Sequence, residues 1–493
     1  MPRSLYAQLR SLYGPVEVTG SRARPAFPGG MGKGHAALRK IDKPPVPLDL
    51  KPNLRKVVIV GGGLAGLSCA YELTRQGLHV TVLEARPRLG GRVVSYRDIV
   101  PGKVVEGGAE FIGANHPAWI NYAREFGLNL IPAEAGDEND LPITIGNRRI
   151  GKELQQRLYG EMDFAIAQAN GAARDINEDQ PWLSPSAEVL DKMSVADWLE
   201  KLPISKLARR ALAAELTADN GMVVSRQGWL ALLTVIKGGG LEHYWTDTEA
   251  YRCKGGSSKL THALARAVGR ENILTNTPVA KIELRHDRVR ITTNRGKVIE
   301  ADDLVLAIPP GTWHKIDFNP PLPAVIAPQI GNVVKFLSSV DSRAWETSAS
   351  SLSDGPIALT WESTAGQGDT GPFGLTAFAA GRAANSLMNS WNRGWSDKSV
   401  INELESIHPG ITPHVLKTRF IAWPNEKYSA GGYSFPAPGE ITSIGPMLQR
   451  GLGRLHFAGE HCCYKFAGYM EGALQSGIAI ANKLAHVDEQ QVA

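Results

Sequence analysis

Two glycine-containing segments close to each other carry the residue types that bind phosphate and ribose. The turn Gly61-Gly62-Gly63-Leu64-Ala65-Gly66 matches the pattern GxGxxG, follows an apolar run at residues 57–60 and precedes a helical pattern. Glycines let the backbone approach a pyrophosphate, and the start of a helix supplies free amides and positive potential. Glu84 ends the next strand pattern, where a carboxylate can accept hydrogen bonds from ribose hydroxyls. Gly61, Gly63, Gly66 and Glu84 therefore predict a dinucleotide site.

The segment "LEARPRLGGR" (residues 83–92) narrows the type of dinucleotide. Gly90 and Gly91 allow a second close backbone approach, Arg92 can bind phosphate, and Arg86 is placed to cover the AMP end. An acid followed by Gly-Gly-Arg six to eight residues later resembles the FAD fingerprint of amine oxidases and related flavoproteins. The same segment is less similar to the corresponding segment of NAD-binding proteins.

Four further segments extend this resemblance over most of residues 55–485. They are "VEGGAEFIG", "AIPPGTWHKIDFNPPLP", "WPNEKYSAGGYSFPAPG" and "HFAGEHCCYKFAGYMEGALQSG". Together they resemble the flavin monoamine oxidase and L-amino acid oxidase family, with most similarity to the soluble bacterial-type L-amino acid oxidases.

The resemblance implies FAD as the cofactor. It adds the following cofactor contacts: Gly108, Ala109, Glu110, Phe111, Val279, Trp423, Gly459, Glu460, Gly468, Tyr469 and Met470. Some family members attach FAD to a cysteine, and this chain has Gly432 at the matching position. We therefore expect FAD to be bound without a covalent link.

Three residues are expected to act on the substrate and the flavin. Tyr433 and Tyr469 match two aromatic positions that face each other across the substrate in monoamine oxidases, although isolated tyrosines are more often core residues. Lys335 lies in the apolar strand pattern "GNVVKFLSSV", where burial of an ammonium is costly. In the family the matching lysine contacts a water near the flavin N5 atom. The alternative is a lysine whose ammonium reaches the surface.

The substrate is less clearly indicated than the cofactor. The resemblance places Glu110, Trp245, Glu249, Arg252, Trp361 and Gly468 at the substrate. At the position of Glu110, well-known L-amino acid oxidases have an arginine that binds the substrate carboxylate in a bidentate pair. A glutamate cannot do so. Either another cation binds the carboxylate, with Arg252 as the candidate, or the substrate has no carboxylate.

The expected reaction is oxidative deamination of an L-amino acid by hydride transfer to FAD, giving keto acid, ammonia and hydrogen peroxide. The first alternative is a monoamine oxidase that acts on primary amines without a carboxylate. A desaturase-like flavoprotein and a flavin-binding protein without turnover are the others. The expected partners are a small amino acid or amine and dioxygen.

The distribution of charge and the spacing of the cysteines argue against a nucleic-acid-binding protein and against a metal site. The net charge is +5, but residues 1–56 carry eleven Lys/Arg and three Asp/Glu, so the remaining chain is about −3 (5 − 8). A nucleic-acid binder would carry its basic patch on the folded body. The four cysteines show no metal-ligand spacing, and reduced thiols are expected over a Cys462–Cys463 disulfide. We expect no metal, no membrane span and no signal peptide, and a soluble cytoplasmic homo-oligomer, most simply a dimer; a transit peptide is a weaker alternative.

The order of the patterns predicts an α/β fold with a discontinuous Rossmann-like FAD-binding domain, a helical insert and a mixed α+β substrate domain. Residues 1–54 form an extended, basic, Pro/Gly-rich arm in this prediction. The FAD-binding domain takes residues 55–114, 246–310 and 452–485. The mainly helical insert takes residues 115–245, the substrate domain residues 311–451, and a short tail residues 486–493.

Overall fold

The computed structural model describes residues 4–14, 55–133, 141–345, 348–394 and 396–490. The helices are α1 (Leu5–Tyr13), α2 (Leu64–Arg75), α3 (Pro117–Glu125), α4 (Lys152–Ala173), α5 (Ala187–Lys192), α6 (Val195–Lys201), α7 (Lys206–Asn220), α8 (Trp229–Gly238), α9 (Glu242–Asp247), α10 (Ser258–Val268), α11 (Gly381–Asn392), α12 (Asp397–Ile407), α13 (Glu440–Arg450) and α14 (Met470–Gln490). The strands are β1 (Lys56–Val60), β2 (His79–Leu83), β3 (Ser95–Tyr96), β4 (Val105–Glu106), β5 (Leu130–Pro132), β6 (Ile143–Ile145), β7 (Arg148–Arg149), β8 (Tyr251–Cys253), β9 (Ile273–Leu274), β10 (Val279–Leu284), β11 (Val289–Thr293), β12 (Val298–Ala301), β13 (Asp303–Leu306), β14 (Asp317–Asn319), β15 (Val333–Val340), β16 (Ser351–Ser353), β17 (Leu359–Glu362), β18 (Phe373–Ala380), β19 (Val415–Ala422) and β20 (Leu455–Phe457).

A parallel sheet of five strands in the order β20-β13-β1-β2-β9 forms the base of the molecule. Its strands come from three separate stretches of the chain, as the discontinuous domain requires. Helix α2 connects β1 to β2, and Gly77 follows it with φ +80°, a conformation that glycine adopts at a helix end. Helices α10 and α14 pack against α2. The predicted α/β fold is confirmed.

A second sheet of seven strands, in the order β19-β15-β18-β17-β16-β6-β7, carries the other wall of the central cavity. Strands β15 and β18 are buried along their whole length. Strands β6 and β7 come from residues 143–149, inside the segment predicted to be a mainly helical insert. That prediction is incomplete, because β6 pairs in parallel with β16, a partner about 200 residues away that no local pattern reveals.

Helices α4 to α9 share one hydrophobic core with β17 and β18, and α7 contacts β6, β16 and β18. Helix α6 begins with a capping box between Ser194 and Asp197, as the spacing of these two residues suggests. Helix α8 is buried over almost its whole length, from Trp229 to Ile236. A four-stranded sheet in the order β12-β11-β10-β14 lies beside the five-stranded sheet. Its first strand along the chain, β10, begins at Val279.

The predicted extended arm is wrong for its first described residues, because Leu5–Tyr13 form helix α1. Leu5, Tyr6 and Leu9 are buried in the core that α4 and α8 also share. The free energy gained by burying these apolar side chains stabilises a helix here, although the flanking sequence is basic and rich in proline and glycine. Residues 15–54 of the predicted arm lie outside the described residues.

Within the described part of the chain, no helix is long and apolar enough to span a membrane. The same residues contain no group of three or more His, Cys, Asp or Glu side chains placed to hold a metal ion. All four cysteines, Cys462 and Cys463 included, are free thiols in the structure.

Candidate active site

One cavity of about 280 Å³ runs between the five-stranded sheet and the seven-stranded sheet. Most of the residues predicted for the cofactor line it: Gly61, Gly63, Glu84, Arg86, Gly90, Gly91, Arg92, Gly108, Ala109, Glu110, Phe111, Val279, Trp423, Gly459, Glu460, Gly468, Tyr469 and Met470. Lys335, Tyr433, Glu249 and Trp361 line the same space. The cavity thus joins the predicted nucleotide site to the predicted chemical site.

The nucleotide end is built around the start of α2. This helix has no side-chain cap at Gly63, and a Cβ added there would meet no atom within 4 Å. The first amides of the helix are therefore open to an anion in the cavity. Glu84 is 4% exposed and accepts hydrogen bonds from the amides of Gly62 and Arg86, both at 2.8 Å.

Gly66 does not line the cavity, in contrast to the prediction that it contacts the cofactor. A Cβ at Gly66 would overlap the carbonyl oxygen of Gly61. Its function is to let α2 pack closely against the turn after β1.

Arg86 and Arg92 belong to two different ion pairs at the cavity wall. Arg86 pairs with Glu426 and donates to the Ser429 hydroxyl at 3.0 Å. Arg92 donates to Glu460 Oε1 at 2.8 Å and to the Gly432 carbonyl at 2.6 Å. Burial alone would raise the pKa of the Glu460 carboxyl, but the charge of Arg92 and the hydrogen bonds from Arg92 and Ser434 act with its other neighbours to lower it below its usual value. These pairs leave both arginines at the surface of the cavity, where they can face a pyrophosphate.

Glu110 is the centre of a buried cluster of charged groups. Its Oε1 atom lies 2.8 Å from Arg252 Nε, and its Oε2 atom lies 2.9 Å from Lys335 Nζ. The Trp361 indole donates to Glu110 Oε1 at 3.0 Å. Burial alone would raise the pKa of the Glu110 carboxyl, but the two cations outweigh burial and lower it. Glu110 is thus a carboxylate anion.

Lys335 is 6% exposed, so the alternative of a lysine that reaches the surface is wrong. Besides Glu110, its Nζ donates to the carbonyl oxygens of Gly108 at 2.9 Å and Glu106 at 3.3 Å. These contacts fix the ammonium to the loop that follows β4. The ammonium also lies 5.1 Å from the centre of the Trp361 ring.

Glu106 lies four residues before Glu110 but has a different electrostatic state. Its two oxygens accept from the Ser257 amide at 2.7 Å and the Ser95 hydroxyl at 2.8 Å. Burial raises the pKa of Glu106 to about 7, and the nearby Glu110 charge adds to that rise. Sequence reasoning missed this residue, since nothing local distinguishes the two glutamates.

Arg252 and Trp245, both predicted to lie at the substrate, are not among the residues that line the main cavity. Arg252 is 4% exposed, and besides Glu110 it donates to the carbonyl oxygens of Ala133 and Glu362. The guanidinium of Arg252 is therefore bound by protein oxygens inside the structure. The Trp245 indole donates to Asn170 at 2.9 Å.

Tyr433 and Tyr469 both line the cavity, and the elements that carry them hold them in place. The Tyr433 hydroxyl donates to the Ala218 carbonyl at 2.7 Å, at the end of α7. Tyr469 precedes α14, and its ring centre lies 5.5 Å from that of His116. Burial raises the pKa of Tyr469, so its hydroxyl keeps its proton.

Two cavity residues were missed by the sequence analysis. Asp219, near the end of α7, adds a carboxyl to the same wall as Glu249. His461 is buried beside Glu460, and burial lowers its pKa to about 4, so it is neutral. Only the neighbouring "GEH" sequence could have drawn attention to His461, and Asp219 lies in an ordinary amphipathic helix pattern.

The backbone at Gly432 leaves little space for a side chain. A Cβ there would overlap the Val333 side chain. A dinucleotide fits the groups at this end of the cavity, which are the open amides at the start of α2, the Glu84 carboxylate, Arg86 and Arg92. The geometry at Gly432 fits a dinucleotide that has no covalent link to residue 432.

The chain matches the model of the family described as "flavin containing amine oxidoreductase" over residues 64–485. Among curated proteins it is similar to a probable flavin-containing monoamine oxidase A of Dictyostelium discoideum, with 27% identity over 467 residues, 87% of this chain and 97% of that protein. The flavin-containing amine oxidase B of Homo sapiens is 28% identical over 466 residues, 87% of this chain and 86% of that protein.

Solved structures share the fold. Cyclohexylamine oxidase from Brevibacterium oxydans has a TM-score of 0.78 at 23% identity and covers 89% of this chain and 100% of its own. Wild-type putrescine oxidase bound to putrescine has a TM-score of 0.77 at 22% identity and covers 88% of this chain and 99% of its own.

Proposed function

The chain belongs to the flavin containing amine oxidoreductase family, and on that premise we propose that it oxidises a primary amine that carries no carboxylate. FAD is the cofactor, and the chemistry it supplies is acceptance of a hydride from the carbon next to the nitrogen. The amine becomes an imine, which water hydrolyses to an aldehyde and ammonia. Dioxygen takes the two electrons and becomes hydrogen peroxide.

The observation that carries this proposal is Glu110 and the cations around it. A substrate carboxylate needs a cation at the cavity surface. Glu110 stands where amino acid oxidases have an arginine, and it binds both Arg252 and Lys335. The other lining cations of the described chain, Arg86, Arg92 and Lys315, already bind carboxylate or carbonyl oxygens.

The charges on the opposite wall favour the same substrate class. Asp219 and Glu249 line the cavity close to Tyr469, as their shared place in a small adjoining cavity shows. Two carboxyl groups attract a cationic amine and repel a carboxylate. Tyr433 and Tyr469 then present flat, apolar faces that orient the amine once it is neutral.

Lys335 and Glu110 hold the polar wall of the site in one arrangement. The three contacts of the ammonium fix it near the loop of Gly108 and Ala109, which lines the cavity. We propose that these contacts keep the Glu110 carboxylate and the backbone of the Gly108–Ala109 loop in fixed positions at the reacting end of the cavity. The names of the relatives, monoamine oxidases among them, support amine oxidation in general.

An L-amino acid is the second candidate substrate, favoured by the place of Arg252. Its guanidinium carbon lies 4.9 Å from the centre of the Phe111 ring, and Phe111 lines the cavity. A substrate carboxylate that displaced Glu110 from Arg252 would gain a bidentate partner next to this ring.

The two candidates are separated by a paired assay of hydrogen peroxide formation with phenethylamine, L-phenylalanine and D-phenylalanine. We expect the highest kcat/KM for phenethylamine. A higher kcat/KM for L-phenylalanine would reject the proposal in favour of the second candidate. Flavin reduction without peroxide, or no reduction by any amine, would favour the desaturase-like or non-catalytic alternatives.

A further inference from the structure

A second, much smaller cavity of about 20 Å³ lies against the main one. It is lined by Ser4, Asp219, Tyr244, Trp245, Thr248, Glu249 and Tyr469. Asp219, Glu249 and Tyr469 also line the main cavity, so these three side chains form the partition between the two spaces. A space of this size holds about one water molecule.

Ser4, at the start of α1, is one of the residues that line the small cavity. Its hydroxyl donates to the Trp245 carbonyl at 2.7 Å and accepts from the Ala7 amide at 3.2 Å. The hydroxyl thus caps α1 and joins that helix to α9, which carries Trp245. The amino-terminal helix therefore contributes a side chain to the space next to Glu249 and Tyr469.

Helix α1 is held by specific contacts along its length. The Tyr6 hydroxyl donates to Asp163 at 2.6 Å, and the Tyr6 amide donates to Glu215 at 3.3 Å. At the other end, the Tyr159 hydroxyl donates to the Gly14 carbonyl at 2.9 Å. These contacts, with burial of Leu5 and Leu9, fix the position of Ser4.

We propose that α1, through Ser4, is a specificity-determining element that limits how far the substrate side chain extends past Tyr469 and Glu249. This inference rests on the proposed function. A longer amine would have to displace the partition into the small cavity, which Ser4 lines. Enlarging the space at residue 4 therefore admits a longer chain, and filling it excludes one.

The test compares kcat/KM for 3-phenylpropylamine, which is longer by one methylene, with kcat/KM for phenethylamine in the FAD-loaded protein. Ser4→Gly removes the hydroxymethyl group while keeping a residue type that is tolerated at a helix start. We expect it to raise the ratio about fourfold, the factor for burying one further methylene. Ser4→Leu, which fills the small cavity, should lower the ratio.

Ser205→Gly is the matched control. Ser205 also caps a helix through its hydroxyl, at the Ala208 amide of α7, but lies on the surface and outside both cavities. A ratio that stays unchanged in both Ser4 variants, or that changes equally in Ser205→Gly, overturns the inference. Flavin absorbance per chain confirms that each variant is loaded.

Failure of the proposed function has a different signature. In that case the parent protein has a higher kcat/KM for L-phenylalanine than for phenethylamine. The inference is then decided by the same variants with L-homophenylalanine against L-phenylalanine, whose side chains differ by one methylene. An unchanged ratio there overturns it as well.

Discussion

The carboxylate of Glu110 lies 2.9 Å from the ammonium of Lys335, and both side chains are buried. Arg252 binds the other oxygen of the same carboxylate. The cluster has two positive charges and one negative charge, so the anion compensates cations that the interior would otherwise not tolerate.

Glu110→Gln should therefore destabilise the protein strongly. Removal of one partner from a buried ion pair leaves an uncompensated charge and costs about 3–5 kcal/mol. The measurement is the free energy of unfolding of the FAD-loaded protein in denaturant. Glu283→Gln is the control, since Glu283 pairs near the surface with Lys281 and Arg290 and should cost less than about 1 kcal/mol. Equal losses in the two variants would contradict this account.

Glu106 should make stability depend on pH in the direction opposite to an ordinary salt-bridged acid. Burial raises its pKa in the folded protein from 4.5 to about 7. Between these values the folded protein holds a proton that the unfolded chain has lost. The stabilisation that the folded protein gains from protonated Glu106 is complete below pH 4.5, and it is lost as the pH rises from 4.5 through about 7.

Glu106→Gln removes this titration. The stability of the parent relative to Glu106→Gln should fall by about 1.4 kcal/mol per pH unit through this window and stay constant above it. Denaturant unfolding at several pH values measures the difference in free energy of unfolding between the parent and Glu106→Gln. The contributions of the other titrating groups are common to both proteins and cancel in this difference. A difference that is independent of pH would reject the raised pKa.

Lys335→Met should keep FAD bound and slow flavin reduction or reoxidation by at least about tenfold, roughly 1.4 kcal/mol of barrier. The fold should tolerate the change, because Glu110 keeps its pair with Arg252. Stopped-flow absorbance measures both half-reactions. Lys103→Met is the control, since Lys103 is a buried lysine held by the Thr370 carbonyl and lies outside the cavity. Rates equal to those of the parent would exclude a function for Lys335 in the flavin reactions.

FAD should be released from the denatured protein. No thiol is available at residue 432, and a side chain there would overlap Val333. Acid precipitation should leave yellow flavin in the supernatant and a colourless pellet. Flavin that stays with the washed pellet would show a covalent link at another residue.

The sequence was most informative where the signal is local. The GxGxxG turn, the strand before it and the acid after it are close together in the chain, so β1, α2, β2 and Glu84 could all be predicted. The same holds for the capping box at Ser194. These features depend on backbone conformation and on neighbours a few residues away.

The site around Glu110 could be predicted only in part. Its residue type was recognised as a departure from the resemblance, but its partners lie 142 and 225 residues away along the chain. Arg252 was assigned to the substrate because a pattern shows which residues are near a site and not which way they turn. Helix α1 had a readable apolar pattern at Leu5, Leu9 and Tyr13, which the basic composition around it concealed.

The strand order of the parallel sheet has a consequence for synthesis on the ribosome. Strand β1 pairs with β13, and β13 pairs with β20, which is made roughly 20–80 s after β1 at about 5–20 residues per second. Until Leu455–Phe457 emerge, the sheet lacks its edge strand, and the Gly459–Glu460 wall of the nucleotide site does not exist. Cofactor binding is therefore a late event in synthesis, and until β20 is made the outer edge of β13 has no partner strand.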